Sequence, residues 1–303
     1  MIFVTNETIK EKTAVALGIF DGVHLGHRLI LDTAKTFSEK GMKFAVFTFK
    51  TASVEIKHGK PYEYLYTENQ KNHILENLGA EYICSPDISA IKNMSGEQFA
   101  KEILAEKMNA GAVVCGENFR FGKDASCGAE DIVAFGKKYG FEVIVCKTLE
   151  KNGEKISSGK IKDYLKNGEL SKANELLGER YFILGEVVTG NRLGRTISFP
   201  TINQLFEEKQ VVPKKGAYAS STEIYEKEYC AITNIGVKPT VESNIKPLAE
   251  THIIDFGSDI YGKTIKTEFI EFLREEKKFP SLEHLKEQIL SDLNTAKKFY
   301  LSK

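Results

Sequence analysis

The feature that most constrains the fold is a change of periodicity part-way along the chain. In the first half, short apolar runs at residues 13–20, 43–49, 112–116 and 141–146 alternate with amphipathic stretches of helical period. The stretch 27–40 carries Ile30, Ala34 and Phe37 on one face and stops at Gly41, and the stretch 69–78 stops at Gly79. A third, 96–108, opens on Ser95 with Gln98 three residues on, which is a capping box. Such alternation predicts parallel strands joined by helical crossovers, a sheet covered by helices. In a sheet of that kind ligands bind beyond the carboxyl ends of the strands.

From Tyr181 to Phe272 the pattern changes to short alternating segments rich in β-branched and aromatic residues: 182–188, 217–224, 229–235, 250–256 and 263–272. Turn residues separate them, which predicts an antiparallel barrel or sandwich. A last helix follows Pro280-Ser281, with Leu282, Leu285, Ile289, Leu290 and Leu293 on its apolar face. Residues 160–179 read as one helix ending at Gly178 and bridging the two patterns. The 303 residues are therefore expected to form two domains, 1–170 and 171–303.

Charge and cysteine usage narrow the setting. With 42 basic and 42 acidic residues the formal net charge is zero. That balance offers no electrostatic reason to expect nucleic acid or an anionic membrane as a partner. The five cysteines are scattered, with no C-x-x-C spacing, as free thiols in a reducing compartment would be. No basic-then-apolar leader opens the sequence, and no run approaches the roughly 20 apolar residues of a membrane span. A cytoplasmic location is expected.

The densest chemistry in the first half lies between the first strand and the first helix, in Gly18-Ile-Phe-Asp-Gly-Val-His-Leu-Gly-His27. Gly18, Gly22 and Gly26 let backbone approach a ligand closely. The new helix offers unpaired N–H groups and a positive dipole end to phosphates. His24 and His27 add side-chain donors. A glycine-rich strand-to-helix turn alone is often only a connection. An aspartate and two histidines in the same turn favour a site that handles phosphate.

These residues resemble the H-x-G-H motif of nucleotidylyltransferases, and specifically the N-terminal module of bacterial bifunctional riboflavin kinase/FMN adenylyltransferases, the FAD synthetases. Gly116-Glu-Asn-Phe-Arg-Phe-Gly122 resembles that family's G-x-D-F-x-F-G segment, and Ile156-Ser-Ser-Gly-Lys-Ile-Lys162 its S-S-T-x-I-R segment. The resemblance implies a Rossmann-like nucleotidylyltransferase domain. It assigns ATP and phosphate contacts to Gly18, Phe20, Asp21, Gly22, Gly26, Ser157, Ser158 and Lys160, catalysis to His24 and His27, and flavin contacts to Asn118 and Arg120. Four positions depart from the family pattern: Lys50–Ser53 where it has P-H-P, Asn118 for Asp, Gly159 for Thr and Lys162 for Arg. A lysine does not reproduce a bidentate guanidinium contact.

The second half resembles the riboflavin kinase signature in Gly185-Glu-Val-Val-Thr-Gly-Asn-Arg-Leu-Gly-Arg-Thr-Ile-Ser-Phe-Pro-Thr-Ile-Asn203, a glycine-containing loop followed by P-T-x-N; Ser198 stands where glycine is usual. Gly190 and Gly194 permit a tight loop whose amides face phosphates. Thr201 and Asn203, two apart on an extended segment, point to one side and can converge on Mg²⁺. The segments Pro213–Ala219, Asn234–Thr240, Glu250–Phe256 and Phe272–Glu275 follow in the family's order.

The resemblance implies a β-barrel kinase domain with a terminal helix, Glu250 as the group acting on the flavin hydroxyl, and Arg274 at the flavin or a phosphate. His252, a lone histidine in an apolar strand, receives no role. The implied activity is phosphorylation of riboflavin to FMN and adenylylation of FMN to FAD, with MgATP as co-substrate. A kinase with an altered first domain, and a non-catalytic flavin-binding regulator, remain as alternatives.

Overall fold

A computed structural model describes residues 1–5, 7–54, 56–57, 60–190, 199–238 and 246–302. The chain forms two compact units, Met1–Ser158 and Gly159–Lys303. The division lies ahead of the expected 170/171 boundary, inside the helical segment that joins the two patterns.

The first unit is built on six parallel strands: β1 (Ile2–Phe3), β2 (Thr13–Leu17), β3 (Lys43–Phe47), β4 (Tyr82–Cys84), β5 (Ala110–Gly116) and β6 (Glu142–Cys146), in the order β1-β4-β3-β2-β5-β6. Every residue of β2 is buried, as a central strand covered on both faces requires. From β2 the chain crosses to β3 on one side, while β5 lies on the other. Their carboxyl ends therefore flank a topological switch point, the place where α/β sheets bind ligands.

The longer helical segments of this unit are α1 (Leu25–Thr36), α2 (Glu68–Asn77), α3 (Gly96–Gln98, running on as a π-helical Phe99–Lys107) and α4 (Ala129–Tyr139). The Ser95–Gln98 capping box is present, and Thr67 with Gln70 forms a second. Phe99 and Leu104 pack with Val15, Phe47, Val113 and Ile132 in the core.

Several elements were not expected, among them β1, of two residues. β4 is only three residues long. α4 contains Gly136, which in sequence weakens a helix; here a Cβ would come within 2.7 Å of the Phe141 carbonyl, so close packing demands glycine. The single helix expected over 160–179 is two, α5 (Ser158–Asn167) and α6 (Leu170–Leu177), because Gly168 between them adopts φ +81°.

The second unit holds six antiparallel strands: β7 (Phe182–Glu186), β8 (Ile202–Leu205), β9 (Gly216–Ile224), β10 (Lys227–Lys238), β11 (Lys246–Ile253) and β12 (Thr264–Glu275), ordered β7-β12-β9-β10-β11-β8. The two outer strands meet through the Val188–Asn203 bridge, so the sheet nearly closes into a barrel. Part of its interior is polar and satisfied. The hydroxyls of Ser220, Thr233 and Thr251 follow one another at 2.8 Å. Gln204 donates to the Gly185 and Ile265 carbonyls and accepts from Thr267. Gln204 thereby staples β8 to β7 and β12.

Helix α7 (Leu282–Leu301) starts on the Ser281 cap and lies against β9, β10 and β12. Asp292, on α7, accepts from Arg274 Nε at 3.0 Å and Nη2 at 2.7 Å, and from Gln288 at 2.8 Å. Its carboxylate is 6% exposed. Replacing Asp292 by Asn removes the counter-ion of Arg274. We expect this to lower the stability of the second unit by about 1–3 kcal/mol, read as a lower urea midpoint.

Helices α5 and α6 also tie into this unit. Leu165 O accepts from Lys214 N at 2.9 Å, and Asn174 bonds both Tyr181 N and Phe269 O. A fragment beginning at Gly159 should therefore melt higher than one beginning at Ser171, which lacks the Leu165 contact and the buried Leu170. Equal melting temperatures would show that α5 contributes nothing.

Candidate active sites

In the first unit the turn after β2 is bent by left-handed residues: Phe20 has φ +52°, Gly22 +84° and Val23 +41°. A phenylalanine and a valine in that region carry backbone strain, which persists where surroundings over-determine it. Here the surroundings are identifiable. Thr48 Oγ1 donates to Ile19 O at 2.9 Å, and Ser158 Oγ donates to Asp21 O at 2.9 Å. The Asp21 carboxylate, buried, accepts from Leu65 N at 2.8 Å. The Tyr62 phenol, close enough to feel that charge, is pushed well up by burial and then by Asp21. Asp21 thus tethers residues 62–65 to the turn.

Two glycines of the turn have specific reasons beyond freedom of approach. A Cβ on Gly18 would come within 2.9 Å of the Phe20 ring, and one on Gly26 within 3.3 Å of the His24 ring. His24 caps α1, its Nδ1 accepting from His27 N at 3.3 Å. The two imidazoles stack with centroids 3.6 Å apart and planes 14° from parallel. Both expected histidines therefore sit together at the N-terminus of α1, at the switch point.

The other residues expected at the nucleotide and flavin lie in later segments of the chain. Asn118 and Arg120 lie in the loop after β5; Asn118 Nδ2 donates to Thr148 Oγ1 at 2.9 Å and Arg120 Nε to Ala125 O at 3.1 Å. Ser157 precedes α5, Ser158 begins it, and Lys160 lies in its first turn. A Cβ on Gly159 would meet nothing within 4 Å.

The Lys50–Ser53 stretch is bound into the scaffold: Lys50 pairs with Asp87 at 2.9 Å, and Thr51 N donates to Glu68 at 2.7 Å. Glu68 in turn lies 3.3 Å from the buried Lys71 ammonium, which donates to Phe49 O at 2.6 Å. Burial lowers the Lys71 pKa, with Glu68 opposing. Sequence reasoning missed this clamp, because its members are individually ordinary surface types.

In the second unit, strand register assembles the site. Asn203 on β8 pairs with Glu250 on β11; Glu250 pairs with Asn234 on β10; Asn234 with Ala217 on β9; Ala217 with Arg274 on β12. Directly paired residues share a face. Asn203, Glu250, Asn234 and Arg274 thus form one row. Asn203 is 3% exposed, and its Oδ1 has no hydrogen-bond partner among the described residues. Gly190 lies against it so closely that a Cβ would collide with the Asn203 amide. Gly194 lies outside the described residues.

Arg274, on β12, has its guanidinium held by Asp292. Asn234 donates to Glu276 at 3.2 Å. Val187, Thr201, Ile202, Ile253, Phe256 and Tyr261 help to line a cavity of about 470 Å³. His252 Nδ1 lies 2.8 Å from Pro200 O, and burial lowers its pKa against that bond.

Comparison with known proteins places this geometry. The FAD synthetase family model matches residues 6–160, and the riboflavin kinase model matches 177–300. The bifunctional riboflavin kinase/FMN adenylyltransferase of Bacillus subtilis is 33% identical over 95% of this chain and 93% of its own length. The Escherichia coli K12 protein of the same name is 32% identical over 96% and 94%.

The chain belongs to the bifunctional riboflavin kinase/FMN adenylyltransferase family.

A solved macrolide-efflux protein from Streptococcus pneumoniae shares the fold, with a TM-score of 0.83 and 28% identity over 98% of both chains. No helix among the described residues is long and apolar enough to cross a membrane. The two family models also follow the two units: the FAD synthetase match contains the His24–His27 turn, and the riboflavin kinase match contains the whole row from Asn203 to Arg274.

Proposed function

We propose that the chain phosphorylates riboflavin to FMN on its barrel and adenylylates FMN to FAD on its parallel sheet, with ATP as co-substrate of both. The carrying observation is the row: Asn203 and Glu250 face each other across one strand pair, and Asn234 and Arg274 continue the same register.

In the kinase reaction the ribityl 5′-hydroxyl attacks the γ-phosphorus of ATP, and ADP leaves. Glu250 accepts the hydroxyl proton. Thr201 and Asn203 would hold Mg²⁺, and the buried Asn203 Oδ1 is the oxygen donor a hard cation takes. When bound, the ion neutralises charge on the transferring phosphates. Gly190, with no Cβ, allows the chain ahead of Thr201 to lie against the Asn203 amide. The cavity beside Thr201, with apolar walls and a few hydroxyls, accepts the nucleoside of ATP. Arg274, its guanidinium fixed by Asp292, is assigned to the flavin.

In the adenylyl transfer an FMN phosphate oxygen attacks the α-phosphorus of ATP, and pyrophosphate leaves. Because His24 Nδ1 accepts from His27 N, a neutral His24 ring carries its proton on Nε2, a donor for phosphate oxygen. The N-terminus of α1 and His27 add to it. Ser157 and Lys160 serve the nucleotide phosphates. Ser158 and Asp21 act through the turn they hold. Asn118 and Arg120, across the switch point, are assigned to FMN. A cytoplasmic setting agrees with five cysteines that form no disulfide.

One incubation with riboflavin and MgATP, resolved by chromatography, tests the reading. FMN followed by FAD is expected. Flavin recovered unchanged while still bound would replace the enzyme with a binding protein.

A further inference from the structure

We propose that His252 is a positioning residue of the kinase site, tying the chain ahead of Thr201 to the strand that carries Glu250. The inference rests on the kinase reading above. Three consecutive residues of β11 have three destinations. Thr251 is fully buried and joins the hydroxyl chain inside the barrel. Glu250 and His252 share the opposite face, that of the Asn203 row. The Pro200 carbonyl can only accept, so the 2.8 Å contact is a bond donated by His252 Nδ1–H. The ring also meets Phe199 edge-on, with centroids 5.3 Å apart at 81°.

The position of this bond matters. The β8–β11 ladder begins at Ile202 opposite Thr251. One step further, Thr201 comes opposite His252, and beyond it Pro200 has no N–H to donate. The histidine side chain makes the connection that the ladder lacks there. Thr201 is then held between a ladder pair on one side and the His252 bond on the other. The bond thereby fixes the place of Thr201 along the strand relative to Asn203 and Glu250. A displacement of about 1 Å in such a constellation costs up to roughly a hundredfold in rate.

The test compares His252→Asn with His252→Leu in the full chain. Both lose the ring against Phe199, and only Asn offers a donor near the Nδ1 position. FMN formation, riboflavin KM and MgADP affinity by calorimetry are measured on proteins with matched thermal midpoints. The Leu variant should lose about tenfold or more in kcat and about tenfold in MgADP affinity, with riboflavin KM within about twofold of wild type. The Asn variant should recover most of both losses. If the Leu variant does not fold, Ala replaces it in the same comparison. Wild-type kcat and MgADP affinity in the Leu variant, or an Asn variant as impaired as Leu, would overturn the proposal. A wild-type protein that binds MgADP but makes no FMN defeats the kinase reading instead, and the affinity comparison still decides the role of His252.

Discussion

Replacing Glu250 by Gln is expected to lower FMN formation by roughly two orders of magnitude or more, while riboflavin and MgADP still bind. The substitution preserves volume and removes the charge that draws the hydroxyl proton. A positioned general base contributes about 10²–10⁴-fold, and most of the remaining catalysis of phosphoryl transfer is positioning and charge neutralisation. Those other contributions come from residues that stay in place: Asn203 is directly opposite Glu250 on β8, and β8 is secured independently by Gln204. The fall should therefore appear in kcat, with KM for either substrate changed little. FMN synthesis by the Gln variant at near the wild-type rate would remove Glu250 from the mechanism and leave positioning as the whole of its contribution.

Much of this site was legible before the structure, for a physical reason. Local signals carry local information: the spacing of Thr201 and Asn203, the Ser95–Gln98 cap and the glycines of the His24–His27 turn each act within a few residues. The two-layer alternation and the β-rich second half were legible in the same way. What was not legible is long-range. The row joining residues 203, 250, 234, 217 and 274 depends on strand register, which the chain sets only when distant strands pair. Gln204 reads as a surface residue until its partners Gly185, Ile265 and Thr267 are known.

His252 illustrates the limit most clearly. Its bonding partner lies 52 residues earlier, and a carbonyl leaves no mark in the sequence. The break between α5 and α6 was missed for a different reason. Asn167-Gly168 is a visible turn signal, but helical periodicity on both sides outweighed it. In the first unit, Asp21 was assigned to the nucleotide by resemblance. Its contacts with Leu65 and Tyr62 show how it shapes the turn, which no pattern of residues around position 21 reveals.

Changing both His24 and His27 to Ala should abolish FAD formation from supplied FMN and MgATP, and leave FMN synthesis from riboflavin intact. Supplying FMN bypasses the kinase, so the two activities are read separately. If the imidazoles neutralise charge that develops on the α-phosphate and the departing pyrophosphate, their loss reduces turnover more than nucleotide binding. The α1 N-terminus, with its backbone donors, remains in the double variant and should retain part of the ATP affinity.

His24 also caps α1, so its removal costs about 1 kcal/mol of helix stability. His24→Asn restores a capping oxygen without restoring the imidazole, and it should regain stability but not turnover. The departures at 159 and 162 give a test in the opposite direction. Gly159→Thr meets open space and adds a hydroxyl in the first turn of α5, and Lys162→Arg adds a planar fork. Together they should raise FAD formation if those two positions limit it. No FAD at any FMN concentration, with Mg²⁺ or Mn²⁺, would leave a kinase whose first domain binds without transferring. FAD formation that survives loss of both histidines would move the chemistry away from the α1 N-terminus altogether.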